Sequence, residues 1–198
     1  GYLSIGCPRN CGFCHVCALQ GKKSVEHADL SEWWDGRPKI KLLDPNILAC
    51  RDRERLLLQL AESKARVDMT QGVDARLLTV ETIYLINRIK SENIHFAWDT
   101  MEQSDAVLNG LRLYDEYGKI TRTHRHVYVL TNYDTTHDED LYRVETLRTM
   151  GYEPYVMIYN KQSAPKVTRD LQRWTNNKKI WRECERFEDY KKGKISEA

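Results

Sequence analysis

Four of the six cysteines in this chain, Cys7, Cys11, Cys14 and Cys17, fall within eleven positions near its start, in Gly6-Cys7-Pro8-Arg9-Asn10-Cys11-Gly12-Phe13-Cys14-His15-Val16-Cys17. Thiolates are soft ligands that select iron–sulfur clusters, zinc or copper(I). Cysteines this close together would close only short disulfide loops, which restrict an unfolded chain little. With no export signal in the sequence, the group reads as a metal-binding loop rather than a disulfide framework. Cys50 and Cys184 stand alone and read as buried or idle thiols.

Spacing separates the possible centres. A structural zinc site wants two CxxC knuckles well apart, or later histidine ligands. No second knuckle follows here, and His15 and His27 would have to come from almost the same segment. An electron-transfer cluster takes four cysteines, which would enlist Cys17, but the order differs from the ferredoxin run, in which proline follows the last cysteine. The third arrangement uses Cys7, Cys11 and Cys14 alone and leaves Cys17 outside as a buried thiol. A non-enzymatic iron–sulfur or zinc module for electron transfer or partner contact stays open beside an enzyme.

The elements that must hold this loop follow from hydrophobic patterning. Short apolar runs at Tyr2–Ile5, Ile40–Leu43, Val67–Thr70, Ile94–Trp98, Val127–Thr131 and Tyr155–Tyr159 predict strands. Between them, helical periodicity is expected near 52–64, 79–91, 103–117 and 137–150, with a last helix near 165–178. Thr136-His137-Asp138-Glu139 has the form of a capping box, and Gly151 stands where a left-handed C-cap is needed. The connections are too long for hairpins and suit crossover helices, so a parallel α/β sheet is expected, either doubly wound or a partial (β/α) barrel. Both place ligands at the C-terminal strand ends. Polar residues gather at those ends: Asp44 and Asn46, then Gln71, Asp74 and Arg76, then Asp99, Asn132, Tyr133 and Asp134, and finally Asn160 and Lys161.

The CxxxCxxC run, with Phe13 just before its last cysteine and a strand before its first, resembles the radical S-adenosylmethionine superfamily. Thr70-Gln71-Gly72-Val73-Asp74-Ala75-Arg76-Leu77-Leu78, Phe96-Ala97-Trp98-Asp99, Val127–Leu130, Pro154–Tyr159 and Leu171–Asn177 resemble a compact bacterial and phage group within it whose substrate is unassigned. The resemblance implies a partial (β/α)6 TIM-like barrel over residues 1–180; composition makes 181–198 a charged tail, expected to pack through Trp181, Phe187 and Tyr190. It implies a [4Fe–4S] cluster on Cys7, Cys11 and Cys14 with S-adenosylmethionine on its open iron, giving a 5′-deoxyadenosyl radical that abstracts hydrogen from a substrate. Phe13 would lie near the adenine, Asp99 near the ribose or the methionine carboxylate, and the strand around Met157 along the adenine edge. Gln71 belongs to the same expected set of cofactor contacts. The family's Gly-Gly-Glu stretch is replaced here by Leu43-Asp44-Pro45-Asn46, so Asp44 or Asn46 would receive the amino group instead. Its later glycine motif is replaced by Leu130-Thr131-Asn132-Tyr133. A reductase or flavodoxin-type protein would supply the electron.

Other clusters carry less. Asp74 and Arg76 read equally as an anion-receiving site or as an ion pair pinning its own loop. His124 and His126 flank Arg125 at the start of a strand. Residues 161–198 hold eleven Lys/Arg against six Asp/Glu, with Trp174 and Trp181 among them. That mixture suits either a solvated helix face or a nucleotide or nucleic-acid substrate stacked on the indoles. The whole chain has 198 residues and a formal net charge of +2, which alone argues for no polyanionic partner. No apolar run approaches the roughly 20 residues that cross a bilayer, so a cytoplasmic location without membrane contact is expected. Because the chain opens at Gly1 on an apolar run, further sequence is expected upstream.

Overall fold

The structure, a computed structural model, describes residues 1–193, with side chains through Tyr190. The end of the expected charged tail, 194–198, lies outside the described residues. In chain order the elements are β1 (Ser4–Ile5), α1 (Val16–Gln20), β2 (Val25–Glu26), β3 (Lys39–Leu42), α2 (Arg53–Glu62), β4 (Arg66–Met69), α3 (Val80–Ile86) and β5 (Ile94–Ala97). There follow α4 (Ser104–Tyr117), β6 (Arg125–Thr131), α5 (His137–Thr149), β7 (Glu153–Ile158), α6 (Lys166–Asn176), α7 (Lys178–Glu183) and α8 (Phe187–Gly193). All six expected strands and all five expected helices are present. The short β2, α1, α7 and α8 are additions, too brief for periodicity to register.

The fold is mixed α/β with parallel ladders. β3 pairs with β4, and β5, β6 and β7 form a three-stranded sheet, all in parallel; β1 pairs antiparallel with β2. Isolated backbone bonds align these ladders side by side. The Gly1 nitrogen donates to the Lys41 carbonyl and Leu43 donates back to Gly1, the pattern of a parallel bridge. Val67 donates to the Lys90 carbonyl at 2.8 Å and Val73 to that of His95 at 2.7 Å. The ladders stay separate and do not close into a barrel.

Alternation along the strands sends one face to the helices. Ile40, Leu42, Val67, Met69, Ile94, Phe96, Val127, Val129 and Val156 are buried there, together with Leu111 and Tyr114 of α4 and Val144 and Leu147 of α5. Each such side chain contributes about 1.5–3 kcal/mol by leaving water. The expected capping box forms: the Thr136 hydroxyl accepts from the Glu139 amide at 3.3 Å while the Glu139 carboxylate accepts from the Thr136 amide at 2.7 Å. Gly151 ends α5 at φ 78°, a conformation costly for any residue with a Cβ.

Trp181, Phe187 and Tyr190 are buried, as expected from their apolar character. Trp174 is buried too, at 0% exposure, stacked edge-on against Trp181 at 4.9 Å and beside Phe187 at 5.5 Å. Arg148 lies over the Trp181 ring at 4.0 Å. Neither the solvated face nor the stacking surface considered for this segment describes its indoles, which are core residues of the α5–α8 layer. No helix among the described residues is long and apolar enough to cross a membrane.

Candidate metal and cosubstrate site

The cysteine loop leaves β1 through Gly6, whose φ of 80° and tight approach to the Lys23 carbonyl admit no side chain. The loop is tied at its neck, where the Cys7 amide donates to Gly21 at 3.2 Å and the Gly6 amide to the Gln20 side chain. Asn10 takes a left-handed φ of 50°, which asparagine tolerates better than most residues. A turn closed by the Cys14 amide on the Cys11 carbonyl at 3.0 Å sets the last two thiols. Cys7, Cys11 and Cys14 are all free and half-buried. Cys17 is half-buried as well, and its thiol donates to the Cys7 carbonyl at 3.0 Å, so it grips the loop's own backbone.

Residues from distant strand ends seat the loop. Asp74, which follows β4, accepts from Arg9 of the loop at 2.9 Å and from Asn46, which follows β3, at 3.1 Å. Its other bonds come from Arg76: the backbone amide at 3.2 Å and the guanidinium at 2.7 and 3.0 Å. The Asp74 side chain is only 7% exposed. Burial pushes its carboxyl up, but the hydrogen bonds and charge of Arg76, then of Arg9, outweigh that and hold it below the usual range. Of the two readings of Asp74 and Arg76, the ion pair that pins the loop is the one present. The loop from Phe13 side is closed by Tyr133, which follows β6: its ring meets Phe13 edge-on at 5.4 Å, and its hydroxyl fills the space a side chain at Gly12 would need. Tyr133 in turn packs on Tyr159, beyond β7, at 5.0 Å.

Cys11 reports the electrostatics of the centre. Burial raises its thiol most; Arg76 acts in the opposite direction, and Asp99, Cys7 and Cys14 raise it further. The three thiols, Arg76 and Asp99 therefore share one neighbourhood at the ends of β4 and β5. Asp99 is itself raised, by burial first, against the Leu130 backbone and the charges of Arg143 and Arg76. Arg143, at 0% exposure, locks those strand ends by donating to the carbonyls of Trp98 at 2.7 Å and Leu130 at 2.8 Å and to Asp140 at 2.5 Å.

The other expected contacts divide. Asn46 lies in the site: its amide nitrogen faces the Cys7 sulfur at 3.7 Å as well as Asp74, and its buried Oδ1 has no partner. Asp44 does not share that position. Its oxygens are taken by the Leu3 amide, the Ser4 amide and the Ser4 hydroxyl, so it anchors β1 beside β3. Gln71 is exposed just past β4. Met157 turns its side chain to the uncovered face of β7, and its carbonyl accepts from Thr131 at 3.2 Å. Tyr133 belongs to the polar strand-end set expected from the sequence, whereas Arg9 carries no sequence signal beyond its place within the cysteine motif.

As a donor set, three soft thiols on one loop fit an iron–sulfur cluster. Among the described residues no three Cys, His, Asp or Glu side chains gather closely enough for a single ion. Compared with known proteins, the chain matches no protein-family model and no curated sequence.

Proposed function

We propose that this chain is a radical S-adenosylmethionine enzyme whose Cys7, Cys11 and Cys14 hold a [4Fe–4S] cluster, on an α/β scaffold read as an open, partial (β/α)6 barrel. The observation that carries this reading is the seating of the CxxxCxxC loop across the C-terminal ends of parallel strands, where Cys11 shares its surroundings with Arg76 and Asp99. When bound, the cluster and S-adenosylmethionine together supply a 5′-deoxyadenosyl radical able to take hydrogen from a substrate.

This chain's residues have definable tasks in that chemistry. Arg76 sets positive charge beside Cys11, opposing the burial that raises its thiol and so favouring the deprotonated ligand a cluster needs, while Arg9 ties the loop to Asp74. The free Oδ1 of Asn46 is a ready acceptor for the ammonium group of the cosubstrate, in the role left open between Asp44 and Asn46. Asp99 offers carboxylate oxygens to ribose hydroxyls, and Phe13 an apolar face for adenine. Asn132 holds φ at 61°, the conformation a glycine motif would otherwise supply, and its side chain ties β6 to the Tyr159 carbonyl at 2.8 Å. An electron donor of reductase or flavodoxin type would meet the half-exposed loop.

Anaerobic reconstitution tests the reading. The protein is expected to take up four irons and, once reduced with S-adenosylmethionine, to release 5′-deoxyadenosine. Cys11→Ala should abolish cluster uptake, whereas Cys17→Ala should keep it, since Cys17 bonds to the Cys7 carbonyl. Loss of the cluster in Cys17→Ala would favour a four-thiolate carrier instead. A fully loaded, folded protein that leaves S-adenosylmethionine intact would refute the enzyme.

A further inference from the structure

Parallel strands are usually covered by helices on both faces, yet here one face is left open. The alternate residues opposite the core, Lys39 and Lys41 on β3, Arg66 and Asp68 on β4, and Tyr155 and Met157 on β7, are exposed. In the middle of that face lies a continuous strip of rings. His95 stacks on His126 at 5.1 Å and on Tyr128 at 5.4 Å, and Tyr128 meets Tyr155 edge-on at 6.0 Å. The Tyr128 hydroxyl donates to the Thr70 carbonyl at 3.1 Å, fixing its ring across the gap between β4 and β5. Tyr155 is 47% exposed, and Tyr159, exposed just beyond the end of β7, packs on Tyr133, which meets Phe13 at the cysteine loop.

We propose that this uncovered face is a docking surface for single-stranded nucleic acid, with bases stacked on the aromatic strip and phosphates held by Lys39 and Lys41. Charge complementarity supports that occupant. Lys39 and Lys41 are exposed and take part in no ion pair among the described residues, while Arg66 pairs with Glu92 and Lys178 pairs with Glu153. Asp68 stands opposite Lys41 in the β3–β4 register, which still leaves the face with a surplus of positive charge. A cavity of about 320 Å³ lies among Lys39, Lys41, Arg66, Asp68, Glu92 and Asn93, at one end of the strip. The rings are suited to stacking rather than to charge pairing. Burial, reinforced by neighbouring positive charge, pushes His126 down to about 4, and burial lowers His95, so both imidazoles are neutral near pH 7.

Length argues for a polymer over a single nucleotide. From His95 on β5 through His126 and Tyr128 on β6 to Tyr155 on β7 the strip crosses two inter-strand gaps, about 10 Å, whereas one stacked base occupies about 3.4 Å. The strip therefore accommodates several bases between the lysines and the cysteine loop. As a substrate track toward the radical site it rests on the function proposed above; as a binding surface it needs no iron.

The test uses the full chain as purified without iron, a fluorescein-labelled single-stranded 15-mer of RNA and its DNA counterpart, and anisotropy titrations at several salt concentrations. Binding of at least one strand type in the micromolar range is expected, with the RNA and DNA arms reporting whether the sugar is read. Tyr155→Ala and Tyr159→Ala should each weaken it by about tenfold. Lys39→Ala combined with Lys41→Ala should flatten the salt dependence by about 1.4 in log–log slope. These side chains are exposed, so unchanged circular dichroism and melting are expected to accompany the losses. Absence of binding, or binding indifferent to all four residues, overturns the inference. So does sedimentation showing a dimer that Tyr155→Ala dissociates, since a second copy would then occupy the face. If oligonucleotide fails to bind while the reconstituted protein still cleaves S-adenosylmethionine, only the docking surface falls; mutation-sensitive binding without cluster uptake would spare the surface and remove the enzyme reading.

Discussion

Asp74→Asn tests whether one carboxylate seats the cysteine loop. The substitution keeps the shape of the side chain and removes its charge from between Arg9 and Arg76. Hydrogen bonds to charged partners contribute about 1.5–3 kcal/mol against about 1 kcal/mol for neutral ones, and Asp74 makes three with Arg76 and one with Arg9. An asparagine must also turn its NH2 toward one guanidinium. Breaking a fully buried pair costs about 3–5 kcal/mol; with Arg9 a third exposed and Arg76 18% exposed, solvent screening discounts that to about 3 kcal/mol. For a chain of this length the expected fall in Tm is about 6–12 °C. The variant should also take up less iron under anaerobic reconstitution, and its loop thiols should react faster with an aromatic disulfide in the apo protein. Because the Asp74 carboxyl is held below its unfolded value of about 3.9, its contribution is fully present above that pH and is lost as pH falls through the lower, folded value. The wild-type advantage should therefore be constant from pH 8 to 5 and shrink only below about 4. Asp68→Asn, at an exposed carboxylate within β4 itself, serves as the control and should change stability by less than about 0.5 kcal/mol. A Tm fall under about 2 °C in Asp74→Asn, with iron uptake and thiol reactivity unchanged, would refute the seating argument.

Three further outcomes follow from contacts elsewhere. Gly110 sits inside α4, where alanine normally gains about 1 kcal/mol, but a Cβ there would collide with the Ala75 carbonyl; Gly110→Ala is therefore expected to lower Tm and, by shifting the Asp74–Arg76 loop, to reduce iron uptake, and a raised Tm would contradict this. Arg143→Ala leaves Asp140 buried without its partner and should cost about 3–5 kcal/mol in denaturant melts, with Arg143→Met combined with Asp140→Leu recovering part of it; equal losses in single and double variants would count against a paired charge. His126 is held near 4 by burial and neighbouring positive charge, below an unfolded value of about 6.5. Its neutral form thus stabilises the fold above pH 6.5, and that stability is lost as pH falls toward 4; His126→Gln should flatten stability against pH across this window, and an unchanged slope would refute the assignment.

Local order along the chain was legible without coordinates because it depends on neighbours in sequence. Short apolar runs and period-3.6 patterning identified the strands and the long helices, and Thr136 with Glu139 marked the start of α5. The identity of the soft-ligand loop rests likewise on residue type and spacing between Cys7 and Cys14. What required tertiary structure was which side chains from remote segments meet. Asp44 and Asn46 are two positions apart and equally polar, yet one faces the β1 amides and the other Cys7. Asp74 joins Arg9 across 65 positions, a relation that no local pattern encodes.

Exposure of the aromatic residues was decided in the same way. Trp174 and Trp181 lie in a basic segment that suggested a stacking surface, but packing of α6 and α7 against Phe187 and Arg148 buries both. Tyr155 reads in sequence as one more apolar strand residue; it is open because no helix among the described residues covers that face of β7. The alternation Lys39-Ile40-Lys41-Leu42 and Arg66-Val67-Asp68-Met69 already contained a trace of this, since parallel strands buried on both faces are apolar throughout. Residue chemistry and local periodicity thus determined the cysteine-rich loop and the strands beneath it. Which face of the sheet stays open, and which distant charges seat the loop, depended on long-range packing, because side-chain burial is set by what the rest of the chain places opposite.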